Sequence, residues 1–98
     1  MARLKRLEWT ASAFEEFAEG LAYIAEDSLA AALAVKRRID QAGFRICRNP
    51  ALYRPGLVPG TRECAVTRTT YTLIFEERRE SILILHCWHQ RRQAPSGA

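Results

Sequence analysis

Apolar positions recur along this chain with two different periods, and the change of period divides it. Phe14, Phe17, Ala18, Leu21, Ile24 and Ala25 fall three and four apart, with Glu15, Glu16 and Glu19 largely on the other side. That spacing predicts an amphipathic helix. Thr10 or Ser12 can cap its start, and Ser12 with Glu15 has capping-box spacing. Asp27-Ser28 interrupts the pattern, and Ser28 can cap a second helix through LAAALAVKRRIDQAGFRIC. Leu29, Ala32, Val35, Ile39, Ala42 and Ile46 form its apolar stripe, with Lys36, Arg37 and Arg38 on the outer side. So short a break predicts an antiparallel helical hairpin, and the alanines let the two axes approach closely.

After Asn49-Pro50 the period changes. The residue before a proline is pushed out of the helical region, which ends the second helix. Residues 50–60, PALYRPGLVPG, hold three prolines and two glycines and read as a stiff, ordered loop. Three strand candidates follow: TRECAVT (61–67), TYTLIFEE (70–77) and SILILHCWH (81–89), with a polar turn at 77–80 between the last two. Upstream, residues 3–9 alternate and predict a short strand with Leu7 and Trp9 on one face. The order β-α-α-β-β-β predicts an α+β domain in which the hairpin covers one face of a small sheet. No further helix exists to cover the other face, so it must be partly wet or partnered.

Length places all of this in a single domain, residues 1–92, with a polar tail at 93–98. The net charge of +4 comes from thirteen arginines against two lysines. Codon usage in a GC-rich genome accounts for the ratio as well as function does, but not for the net charge. An acidic partner is therefore expected, nucleic acid and acidic protein being undistinguished. Three cysteines with no close pairing, no signal peptide and no membrane span predict a cytoplasmic chain with reduced thiols.

Candidate chemistry narrows quickly. Cys64, His86, Cys87 and His89 invite a metal, but residues 86 and 89 of a strand face opposite ways and no C-x-x-C pair is present. Cys87 lies within an apolar run, which favours an inert thiol over a nucleophile. Metal-free RNA cleavage needs a base, an acid and cations for the phosphorane. His89, Glu63, Arg62 and Arg91 could supply these, or could be a core-edge histidine with ordinary solvated or structural charges. Arg78, Arg79, Arg91 and Arg92 could form a phosphate-binding patch or a solvated turn and tail. No aromatic residues interleave with them to stack bases.

Several segments in order carry a resemblance: EWTASAFEEFAEGLAYIAEDS, then the alanine-rich second helix, NPALYRPGLVPGTRE, TTYTLIFEE, and ILILHCWHQRRQ. From residue 3 to about 92 the chain resembles the RelE/ParE superfamily of bacterial toxins from type II toxin–antitoxin operons. The resemblance implies a helical hairpin on a small, mainly antiparallel sheet. RelE-like members cleave mRNA in the ribosomal A site without metal, using lysines, an arginine and a tyrosine. Here Glu63 and Ala65 stand in place of those lysines and Thr72 in place of the arginine, and no tyrosine follows Arg92. Of that set Arg91 matches.

The PG-x-x-PGTRE segment and the H-x-R-R ending resemble ParE more closely. ParE-like members poison DNA gyrase and are not themselves catalysts. This reading implies no cofactor and no metal. It implies a target surface at His89, Arg91 and Arg92, and Arg62 tying the sheet to the proline-rich loop. It also implies a cognate antitoxin wrapped on the hairpin around Phe14, Phe17, Leu21 and the Ile39 region, filling the uncovered sheet face. Two alternatives stay open: a ribosome-dependent mRNA endonuclease using His89, Arg62 and Arg91, and a non-toxic interaction module of the same fold.

Overall fold

The computed structural model describes residues 4–89. Strand β1 (Arg6–Trp9) leads into helices α1 (Ala11–Asp27) and α2 (Leu29–Arg48). One 3-10 turn at Pro50–Leu52 precedes β2 (Arg54–Pro55), β3 (Arg62–Ala65), β4 (Tyr71–Glu77) and β5 (Ser81–His89). The sheet order is β1-β5-β4-β3-β2. β1 runs parallel to β5, and every other pair is antiparallel. The architecture is the α+β arrangement expected from the pattern, with the hairpin packed on one face. One strand was not anticipated. The proline-rich segment contributes β2, which forms the sheet's outer edge, where Pro55 needs no N–H for a further neighbour.

Local chemistry explains the helix ends. Thr10, not Ser12, caps α1: its hydroxyl accepts from Ala13 N at 3.0 Å. The end of β1 fixes this choice, because Thr10 N–H donates to the Ile84 carbonyl and its hydroxyl donates to the Leu85 carbonyl. Ser12 therefore lies inside the first turn, and its capping box with Glu15 does not form. Ser28 alone joins the helices. Its backbone N–H closes α1 on Ile24 O, and its hydroxyl accepts from Ala31 N to open α2. One extended residue with two capping roles produces the antiparallel turn.

The core lies between the hairpin and the sheet. Ala13 and Phe17 of α1 and Ile39, Ala42 and Ile46 of α2 meet Leu73 and Phe75 of β4 and Ile82, Ile84 and Cys87 of β5, all buried. Each large apolar side chain removed from water contributes about 1.5–3 kcal/mol. Trp9 stacks on Phe17 at 5.0 Å, and Leu7 packs where Gly43 leaves room on α2. A β-bulge interrupts β5: Phe75 opposes Ile84, but Ile74 opposes His86, so Leu85 is an extra residue. The inward series therefore runs Ile82, Ile84, Cys87, His89, and His86 and Trp88 turn to the outer face.

Candidate functional site

The expected target surface begins at His89, the last residue of β5, and the geometry of that strand end depends on α1. β1 stops at the Trp9–Ile84 rung, so beyond it the edge of β5 has no strand beside it. Glu16 fills the gap. Its Oε1 accepts the Cys87 backbone N–H at 2.9 Å, and its Oε2 lies 3.4 Å from His86 Nδ1. Periodicity had placed Glu16 with the solvated glutamates; instead it is largely buried at 18% side-chain exposure. His86 stacks on Trp88 with ring centroids 4.3 Å apart, and His89 sets its edge against Tyr71 at 5.3 Å.

The thiols are inert packing groups. Burial, helped by the Glu16 charge, pushes the Cys87 thiol up to about 12. Burial also raises Cys64, opposed by the Arg45 guanidinium, and raises Cys47. None can present a thiolate near neutral pH. Among the described residues no group of three His, Cys, Asp or Glu side chains could hold a metal ion, and no helix is long and apolar enough to cross a membrane.

Arg62 and Glu63 hold the proline-rich loop in place. Arg62 Nη1 donates to the carbonyls of Ala51 at 3.3 Å and Tyr53 at 3.0 Å. This is the tether expected from sequence. Glu63 pairs with Arg54 at 3.1 Å and accepts the Leu57 N–H at 3.1 Å. Of the conditional ribonucleolytic set, the two described members, Arg62 and His89, stand on different rungs of the sheet. Arg62 opposes Phe75 whereas His89 opposes Tyr71, four residues along β4, or roughly 13 Å at strand rise. Arg91 and Arg92 lie outside the described residues. Where RelE-like lysines and arginine would stand, the outer face presents Glu63, Ala65 and Thr72 beside Ile74 and His86. At the β4–β5 hairpin, Arg78 is paired with Glu76 at 2.9 Å rather than free for phosphate.

The expected antitoxin contacts divide by burial. Phe17 and Ile39 belong to the core, at 8% and 1% exposure, and no partner reaches them without opening the hairpin. Leu21 packs half-buried against that core, and Phe14 stands 58% exposed. Leu29 also departs from expectation: it is not part of the inward stripe but projects outward with Leu33 and Phe44, each more than half exposed. Leu33 and Phe44 line an open groove of about 680 Å³ along α2 with Lys36, Arg37, Asp40, Gln41 and Arg45. The signal was present as a second helical stripe at positions 29, 33 and 44, masked by the stronger inner one.

Comparison with known proteins agrees with this fold. Residues 7–94 match the family model described as the ParE toxin of type II toxin–antitoxin system, parDE. A protein of Sinorhizobium fredii provisionally named toxin Y4kP is 34% identical over 91 residues, covering 93% of this chain and 94% of that one. A solved structure titled as the chromosomal ParDE TA system from P. aeruginosa superposes with a TM-score of 0.77 at 21% identity, covering 90% of this chain and 98% of that one. The chain belongs to the ParE toxin family of type II toxin–antitoxin systems.

Proposed function

We propose that this chain inhibits DNA gyrase and is held inactive by a cognate antitoxin. Membership of the ParE family across residues 7–94 is the observation that carries the reading. The outer sheet face supports it against mRNA cleavage, because a phosphorane needs cations and the corresponding positions hold Glu63, Ala65 and Thr72. In this reading His89, Arg91 and Arg92 form the target surface. The antitoxin engages the outward side of the hairpin, through Phe14 and Leu21 and through the groove at Leu33 and Phe44. Lys36 and Arg37 beside that groove favour acidic residues on the antitoxin.

The test is supercoiling of relaxed plasmid by gyrase in the presence of the purified chain, alongside ribosome-programmed mRNA cleavage. Lost supercoiling or accumulated cleaved DNA, with mRNA intact, is expected, and Arg91→Ala should restore supercoiling. Added antitoxin should restore it as well, and Leu33→Asp with Phe44→Asp should blunt that rescue. Cut mRNA with unaffected supercoiling would overturn the reading. Inactivity of the folded chain in both reactions would leave the interaction module as the better account.

A further inference from the structure

A second cavity lies at the end of the sheet where β5 finishes, because the β3–β4 connection leads into the Tyr71–His89 rung, and its chemistry is one that the toxin reading does not use. On α2, Arg38, Gln41 and Arg45 are spaced i, i+3, i+7 and share one face. The β3–β4 connection brings Thr67 and Arg68 against them, and these five residues line a cavity of about 300 Å³. Among the described residues no acidic side chain lines it. Arg6, Arg54, Arg62 and Arg78 each lie within 4.0 Å of a carboxylate, whereas Arg37, Arg48 and Arg79, like the arginines of this cavity, are in no ion pair among the described residues. Among the described residues, none of the ion pairs includes Arg38, Arg45 or Arg68.

The three arginines sit on ordered backbone, Arg38 and Arg45 within α2 and Arg68 in a tight turn. Tyr53 packs edge-on against buried Phe75 at 5.8 Å; burial raises the pKa of its hydroxyl and the Arg45 guanidinium opposes that rise. Arg68 occupies a turn closed by Thr69 N–H on the Val66 carbonyl, and its φ is +61°. That left-handed conformation favours glycine or asparagine and strains any other residue.

We propose that this cavity binds a phosphate group, gripped by Arg38, Arg45 and Arg68 with neutral donors from Gln41 and Thr67. A carboxylate is planar and is satisfied by one bidentate guanidinium. Three arginines approaching from a helix and a turn match a tetrahedral oxyanion with more acceptor oxygens and more charge. The phosphate is either free, as inorganic phosphate or pyrophosphate, or part of a nucleic-acid backbone.

Thermal unfolding of the full chain tests this, with added phosphate, pyrophosphate, acetate or chloride at matched ionic strength. Phosphate or pyrophosphate should raise Tm saturably, because a ligand of the folded state stabilises it, and acetate and chloride should not. Arg38→Gln and Arg68→Gly should each weaken the response tenfold or more, while Arg79→Gln on the β4–β5 hairpin keeps it. Without phosphate, Arg68→Gly should melt higher than the parent, since glycine relieves the left-handed backbone; loss of binding then cannot be loss of fold. A short DNA duplex separates the sources. Duplex binding that falls with Arg68→Gly assigns the backbone phosphate, and duplex binding indifferent to it, with the phosphate response lost, assigns free phosphate. A response equalled by acetate, or unchanged in both arginine variants, would overturn the proposal.

Discussion

Glu16 takes the place of a β-strand that ends too early. Its carboxylate receives the Cys87 N–H, which would otherwise meet the flank of α1 without an acceptor, and also contacts the His86 ring. Hydrogen bonds to charged groups contribute about 1.5–3 kcal/mol, so Glu16→Ala should lower stability by roughly 2 kcal/mol in urea unfolding. Glu16→Gln keeps an oxygen for the N–H and should lose less than half as much; equal losses would mean that the charge, not the acceptor, matters. Cys87 itself links stability to alkaline pH. The folded state raises its thiol from 9.0 to about 12, so it holds the proton more tightly than the unfolded chain does. The contribution is complete below pH 9 and is lost as pH rises from 9 towards 12, at up to about 1.4 kcal/mol per pH unit. Urea midpoints measured between pH 8 and 10.5 should fall, and Cys87→Ala should flatten the decline.

At the level of elements, α1 meets β4 through a glycine. A Cβ at Gly20 would collide with the Tyr71 hydroxyl and lie 3.0 Å from its Cζ, and the ring is buried with little freedom to move. Glycine-to-alanine inside a helix ordinarily gains about 1 kcal/mol. Gly20→Ala should instead reduce stability, and in a Tyr71→Phe background part of that loss should disappear; a plain gain in thermal unfolding would refute the close approach. The elements themselves were largely legible. Both helices follow from their apolar stripes, and their separation follows from Ser28, because each signal repeats over several turns. Strand β2 was hidden, since two residues carry no period and proline argues against a strand. The bulge was hidden too. A straight strand from Ile82 would send His86 inward, and the pairing with β4 at Leu85 decides that Cys87 goes there instead. Arg62 was read correctly from the loop beside it, whereas Glu16 and the three-arginine cavity needed contacts between residues far apart in sequence.

Across the whole molecule, charge separates by helix. α1 carries Glu15, Glu16, Glu19, Glu26 and Asp27 with no cation, while α2 carries Lys36, Arg37, Arg38, Arg45 and Arg48 against Asp40. Approaching anionic groups are therefore steered towards α2, and salt weakens that steering. Topology sets a second property, because β1 pairs in parallel with β5 and its strand partner lies some 75 residues further along the chain. During synthesis at about 5–20 residues per second, β1 waits roughly 4–15 s for β5, and the helices wait a shorter time for the strands they pack on. Nascent chains arrested before residue 81 has left the ribosome should be cut readily by protease within α1 and α2. Chains arrested well beyond residue 89 should resist. Protection of the shorter chains would contradict this. The toxin fold is thus a late event in the life of each copy: while translation proceeds, the ribosome holds a hairpin with an open apolar face, and the molecule acquires its finished surface only when its last strand closes over the first.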